Sequence, residues 1–207
     1  MLLTCILFAL QGFSATPSFI ATTSFIAMST AAMSTATMST AAADINLADF
    51  SAENADRGWQ IVNDTIMGGR SDSRFQVVDG VLKFSGTLNT NGGGFASVRS
   101  GTIAAAGTTQ NAMRARVRGD GRPYQLRLYA EGSDVSYRAI FPTEAGRWQT
   151  IELPLAVFQA SFRGRLLDRP PIDASAINGV GILLADRTDG PFQIEVAWLK
   201  LVSTAET

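Results

Sequence analysis

The residues of this sequence that could do chemistry concentrate between Trp59 and Ser73. Asn63 and Asp64 are followed by Met67, the pair Gly68-Gly69, Arg70 and Ser71. A carboxylate in such company can accept from loop amides, pair with Arg70 or take a ligand hydroxyl. The glycine pair opens backbone conformations closed to other residues and leaves amides uncovered. Two readings follow. One is a ligand loop. The other is a bulge or tight corner in which Asp64 and Asn63 cap backbone amides and pin two strands together. The residue types alone favour the corner, and Trp59 and Met67 read as core residues rather than ligand contacts.

What is missing narrows the chemistry further. Among 207 residues there is no histidine, and the single cysteine, Cys5, lies in the N-terminal segment. The usual general base, the Ser-His and Cys-His dyads and the commonest transition-metal ligand are therefore absent. Two-carboxylate hydrolysis survives that exclusion. Asp64 is its best candidate, but no partner acid is identifiable, so the chain reads as non-enzymatic. Net charge is -1, with 17 basic and 18 acidic residues. Nothing in that balance points to nucleic acid or an anionic membrane. No cofactor and no metal are expected. Asp186, Asp189 and Glu195 are scattered acids whose spacing fits no defined calcium loop.

Two further groups are candidates for binding. Asn89, Asn91, Gly92-Gly93-Gly94, Phe95 and Arg99 would form a glycine-lined shelf if their loop met the first one. A glycine-rich loop cradles phosphate when a helix follows. This one runs into a strand, which excludes the nucleotide reading. The last group is an outward row, Arg114, Arg116, Arg118, Arg127 and Arg138, with Tyr124, Tyr129 and Tyr137 nearby. Arginine beside tyrosine on a concave sheet can stack on sugars or hold a carboxylate bidentately. Arg116, Arg127, Tyr129 and Arg138 make up the candidate glycan face, against the plainer reading of a solvated sheet surface.

The elements that must position these residues read as strands. Phe75–Val78 and Val81–Phe84 flank Asp79-Gly80, a hairpin with a tight turn. Met113–Arg118 and Tyr124–Tyr129 alternate strictly, and Tyr137–Phe141 and Trp148–Leu153 follow. Phe158–Pro171 reads as an arginine-rich connection, and Ile172–Ile177 as room for one helical turn. Val180–Ala185 is continuously apolar, as a central strand is, and Phe192–Leu201 alternates again. No stretch holds a long 3.6-residue period. Short, evenly spaced strands predict an all-β sandwich or jelly roll over residues 44–207.

Residues 1–43 carry no charged side chain and contain the repeat Ala27–Ala31, Ala32–Ala36, Thr37–Ala41. This low-complexity head is set apart from the fold. Its apolar run, Leu2–Leu10, is too short to span a bilayer. It reads as a secretory signal cut near Ala41–Ala43 or Ala15, or as an over-extended start with initiation at Met28, Met33 or Met38. Export to the periplasm is favoured over a cytoplasmic location.

The run Trp59…Val62-Asn63-Asp64…Met67-Gly68-Gly69-Arg70-Ser71, with Gly93-Gly94-Phe95-Ala96-Ser97-Val98-Arg99 after it, resembles the complex I intermediate-associated protein 30 family. The likeness covers residues near 47–201. It implies a galactose-binding-like β-sandwich, similar to carbohydrate-binding modules, and a non-enzymatic role as an assembly factor or chaperone for NADH:ubiquinone oxidoreductase. It transfers no catalytic residue. It marks Trp59, Asn63, Asp64, Met67, Gly68, Gly69, Ser71, Gly93, Gly94, Phe95 and Arg99 as motif positions. The expected partner is a protein held by the loop end of residues 63–72 and 89–99, with respiratory-chain subunits as candidates. The alternative partner is a glycan on the Arg/Tyr face. The head lacks the arginines of a mitochondrial transit peptide, so the chain is similar to a stand-alone, bacterial-type member.

Overall fold

The structure is a computed structural model that describes residues 43–103 and 109–204, without the side chains of Ile66 and Met67. The readings of the head as a signal or a late start lie outside the described residues. No helix among the described residues is long and apolar enough to cross a membrane.

Among the described residues thirteen strands form two antiparallel sheets. One sheet contains β3 (Asp72–Val78), β4 (Val81–Leu88), β13 (Gly190–Val202), β6 (Ala112–Arg118) and β9 (Trp148–Pro154), in that order, with β1 (Ile45–Asp49) also paired to β13. The other runs β11 (Arg165–Leu166), β10 (Gln159–Phe162), β8 (Ser136–Phe141), β7 (Tyr124–Ala130), β12 (Ile177–Leu184), β5 (Ala96–Arg99) and β2 (Gln60–Ile61). The predicted β-sandwich is thus observed.

Period-2 alternation explains which residues fill the interior. Met113, Ala115 and Val117 are buried between the outward arginines of β6. Leu126 and Leu128 of β7, Val180, Ile182 and Leu184 of β12, and Val98 of β5 face them from the second sheet. The Asp79-Gly80 hairpin forms as read. Both turn residues have positive φ, 54° and 74°, the geometry that lets a two-residue turn follow the twist of its strands.

The structure corrects two expectations. The connection between Phe158 and Pro171 contains two short strands, β10 and β11. Gln159-Ala160-Ser161-Phe162 alternates over four residues only, too short a run to announce a strand, and it forms because β8 offers it an edge. The arginine row is not one surface. Arg114, Arg116 and Arg118 stand on β6 in the first sheet, whereas Arg127 and Arg138 stand on β7 and β8 in the second. Alternation tells which way a side chain points relative to its own sheet, but not which sheet its strand joins. Tyr124 and Tyr137 also leave the expected face. Tyr124 is wholly buried, and Tyr137 packs against the core.

Candidate functional site

Asp64 opens a short 3-10 turn, Asp64–Met67, directly after β2. Gly68 closes the turn in the left-handed region at φ 87°, and its amide donates back to the carbonyls of Asp64 and Thr65. The chain then bends so that Ser71 faces the carboxylate. The Ser71 amide donates to Oδ1 at 3.0 Å and the Ser71 hydroxyl to Oδ2 at 2.7 Å. From the second loop the amides of Gly94 and Phe95 donate to Oδ2 at 2.5 and 3.3 Å. The Asp64 carboxylate is therefore a knot tying two loops together, and its residue has no exposed surface.

The glycines of the motif are explained by this knot. A Cβ on Gly69 or on Gly93 would overlap the Asp64 carboxyl group. Burial, the largest single influence, pushes the Asp64 pKa up, but the hydrogen bonds from Gly94, Ser71 and Phe95 together outweigh it and hold the carboxyl below its ordinary value. The remaining polar positions support the same corner. Ser73 donates to the Asn63 side chain at 2.7 Å, and Ser97 to the Val62 carbonyl at 2.5 Å. Trp59 is half-buried, its ring 5.2 Å from that of Phe50. Met67 ends the 3-10 turn, and the reading of its side chain as core lies outside the described residues.

Arg99 does not join the knot. No hydrogen bond or ion pair among the described residues links it to Asp64. Its Nε donates to Ser97 at 3.3 Å, and its guanidinium lies 5.2 Å from the centroid of the Tyr129 ring. The motif thus divides. Its first half builds the loop end, while Arg99 points onto the outer face of the seven-stranded sheet beside Arg127, Tyr129 and Arg138.

Register explains that grouping. Gln159 of β10 pairs with Arg138, Arg138 with Arg127, Arg127 with Gly181, Gly181 with Arg99, and Arg99 with Gln60. Partners in register share a face, so one transverse row crosses six strands. Arg116, read from sequence as part of this face, instead lies on the other sheet, near Thr150 and the Trp148 ring. Sequence reasoning missed that Arg99 belongs with Arg127. The only trace of it was the small outward residue Gly181 in the otherwise apolar β12 run.

Four other arginines are matched by acids. Arg114 pairs with Glu152 and Arg122 with Asp186, each at 2.6 Å, Arg118 pairs with Glu195, and Arg147 with Glu144 at 2.6 Å. Asp189, the remaining acid considered for a metal, accepts from the Thr90 amide at 2.7 Å. A pocket of about 350 Å³ is lined by Arg118, Gly119, Asp120, Gly146, Gln193 and Glu195, away from both the knot and the row.

Residues 48–196 match the family described as complex I intermediate-associated protein 30. The mitochondrial protein of that name from Mus musculus is 31% identical over 96 residues, covering 43% of this chain and 29% of that protein. Its counterpart from Drosophila melanogaster is 26% identical over 180 residues, covering 74% of this chain and 61% of that protein. The chain therefore spans less than two thirds of the length of either relative, under a third of the first. Among solved structures, a family 11 carbohydrate-binding module from Clostridium thermocellum, in complex with a β-1,3-1,4-mixed-linked tetrasaccharide, superposes with a TM-score of 0.57 at 14% identity. That match covers 79% of this chain and 98% of the module, and it shows a shared galactose-binding-like fold.

Proposed function

The chain belongs to the complex I intermediate-associated protein 30 family, and from that membership we propose a non-catalytic binding domain that engages a protein partner through residues 63–72 and 89–99. The observation that carries the reading is the Asp64 knot. It fixes two loops against each other while Thr65, Gly68, Arg70, Asn91, Gly92 and Gly93 stay exposed on them. A surface already held in place loses little freedom on binding. The acceptors of Asp64 are engaged by four donor atoms, which argues for a shaping role and against acid–base chemistry. The names of the relatives make respiratory-chain subunits the first partners to test.

Affinity purification of the tagged protein from its native cells, with mass spectrometry of the fractions, tests this. The doubly substituted Arg70→Glu, Asn91→Ala chain should lose its specific partners while keeping its melting temperature. Recovery of the same partners with that variant would overturn the loop end as the contact. A second reading is supported by the Arg99, Arg127, Tyr129 and Arg138 face, on a fold like that of a module whose structure holds a tetrasaccharide. On that reading the face takes a glycan. Silence across a glycan array at millimolar concentration would count against it.

A further inference from the structure

The transverse row carries an imbalance that neither reading uses. Arg127 stands directly opposite Arg138, and like charges facing each other across strands are destabilising. On the other side Arg127 and Arg99 flank Gly181, two strand spacings or roughly 10 Å apart. Arg99 lies over the Tyr129 ring by crossing β12, where the outward positions are Gly179 and Gly181. A Cβ on Gly181 would come within 2.8 Å of the Val98 carbonyl oxygen and 3.3 Å of the Arg99 side chain. The missing side chains thus let guanidiniums from β5 and β7 approach over a bare backbone.

None of the three arginines has an acidic partner among the described residues. Arg127 meets only neutral oxygens, those of Gln125 at 3.2 Å, Ser161 at 3.2 Å and Ser136. Outside the described residues the sequence holds one acidic side chain, Glu206. Arg127 is 8% exposed, yet its Nε has no hydrogen-bond partner among the described residues. The Nε of Arg138 and the hydroxyl of Tyr129 are likewise buried and unsatisfied, although Tyr129 lies close to Arg127. Buried polar atoms in proteins are normally paired, and each unmet one carries a desolvation cost. Here three such atoms cluster, all able to donate, on a face with a surplus of positive charge.

We propose that the outer face of the seven-stranded sheet is an oxyanion site in which Arg99, Arg127 and Arg138 hold a carboxylate, sulfate or phosphate group, with the Tyr129 hydroxyl as a further donor. Guanidinium forks match the geometry of such groups and bind them with charge-assisted hydrogen bonds. An oxyanion there would supply the missing acceptors and relieve the repulsion along the row. Two features agree with this. Burial, with Arg99 and Arg138 adding to it, lowers the Arg127 pKa against the pull of Tyr129, which is the condition an anion would reverse. Burial also raises the Tyr129 pKa despite Arg99 and Arg127, so the phenol keeps its proton to donate. The site does not depend on the loop-end reading, and it sharpens the glycan reading to acidic saccharides.

Calorimetric titration of the full chain at low ionic strength tests the site. The probes are inorganic phosphate, inorganic sulfate, an oligogalacturonate and a neutral mixed-linkage glucan oligosaccharide. Saturable binding of an anionic probe is expected, weakened about tenfold or more in Arg99→Gln and in Arg138→Gln, as loss of a charge-assisted hydrogen bond requires. It should be unchanged in Arg114→Gln, on the opposite sheet. Tighter binding of the oligogalacturonate than of the inorganic ions assigns the source to an acidic saccharide, and the reverse assigns it to a free or headgroup oxyanion. Absence of binding by every anion, or binding that Arg99→Gln and Arg138→Gln both retain in full, overturns the proposal. Equal affinity for the neutral glucan and the oligogalacturonate overturns it too, while leaving the broader glycan reading standing.

Discussion

At the loop end one buried carboxylate is met by four donor atoms and, among the described residues, by no cation, whereas across the seven-stranded sheet the guanidiniums of Arg99 and Arg127 meet neutral oxygens, and neither they nor Arg138 meets an acid among the described residues. The difference follows from where backbone groups are free. A loop that bends has amides to spare, and Gly94, Phe95 and Ser71 turn theirs onto Asp64. A sheet interior has none, because its amides and carbonyls are engaged in the ladder. A guanidinium laid on a sheet must find side-chain acceptors or a ligand, and each carries five N–H donors to satisfy. The acid is therefore a completed piece of structure, while the arginine row is left with donors in excess.

Substitutions should separate the two regions by the sign of their effect on stability. The largest loss is expected for Asp64→Ala, which leaves three amides and a hydroxyl without their acceptor. A cost of about 3–4 kcal/mol should appear in urea denaturation, and a loss under 1 kcal/mol would mean that the knot holds nothing together. Gly93→Ala drives a methyl group into the same carboxylate and should cost about 2 kcal/mol. Its melting temperature matching the parent would contradict the close approach.

The pH dependence comes next in size. The native pKa of Asp64 lies below its ordinary value of 3.8, so its contribution to stability is complete above that value. The contribution is lost as pH falls through the native pKa. Asp64→Asn should flatten this part of the acid limb of the stability curve. An unaltered limb would place the acid sensitivity elsewhere, for instance at Asp186 beside Arg122, which is also held low. The smallest change, of opposite sign, is expected for Arg138→Gln. Removing one of two facing cations should leave stability unchanged or raise it by up to about 0.5 kcal/mol at low salt, fading as salt is added. A clear loss of stability would show that Arg138 already has a partner.

Most of the scaffold was legible because local rules governed it. Asp79-Gly80 specified its turn, Met113–Val117 specified its inward face, and the unbroken apolar run near Val180 lies in a strand paired on both sides, by β7 and β5. The corner reading of Asp64 also followed from residue type, whereas Asn63 caps no backbone amide among the described residues and instead accepts from the Ser73 hydroxyl. What could not be read was long-range pairing. Arg99 precedes β6 in sequence yet shares a row with Arg127, because β12 inserts between β5 and β7. Arg116 was grouped with Arg127 by proximity along the chain, which carries no information about sheet membership. The four-residue β10 was invisible until β8 provided its edge.

One strand governs how the scaffold comes into being. β13 pairs with β4 through its first half, with β1 through its second, and with β6 along most of its other side. Ile45 meets Leu201 and Asp49 meets Trp198, so some of the earliest described residues wait for some of the last. On the ribosome, the six-stranded sheet cannot close until residues 190–202 have emerged, and until then β1 and β6 lack their common partner. Folding is thus dominated by contacts distant in sequence, the regime in which domains fold slowly and nascent edges need protection from one another.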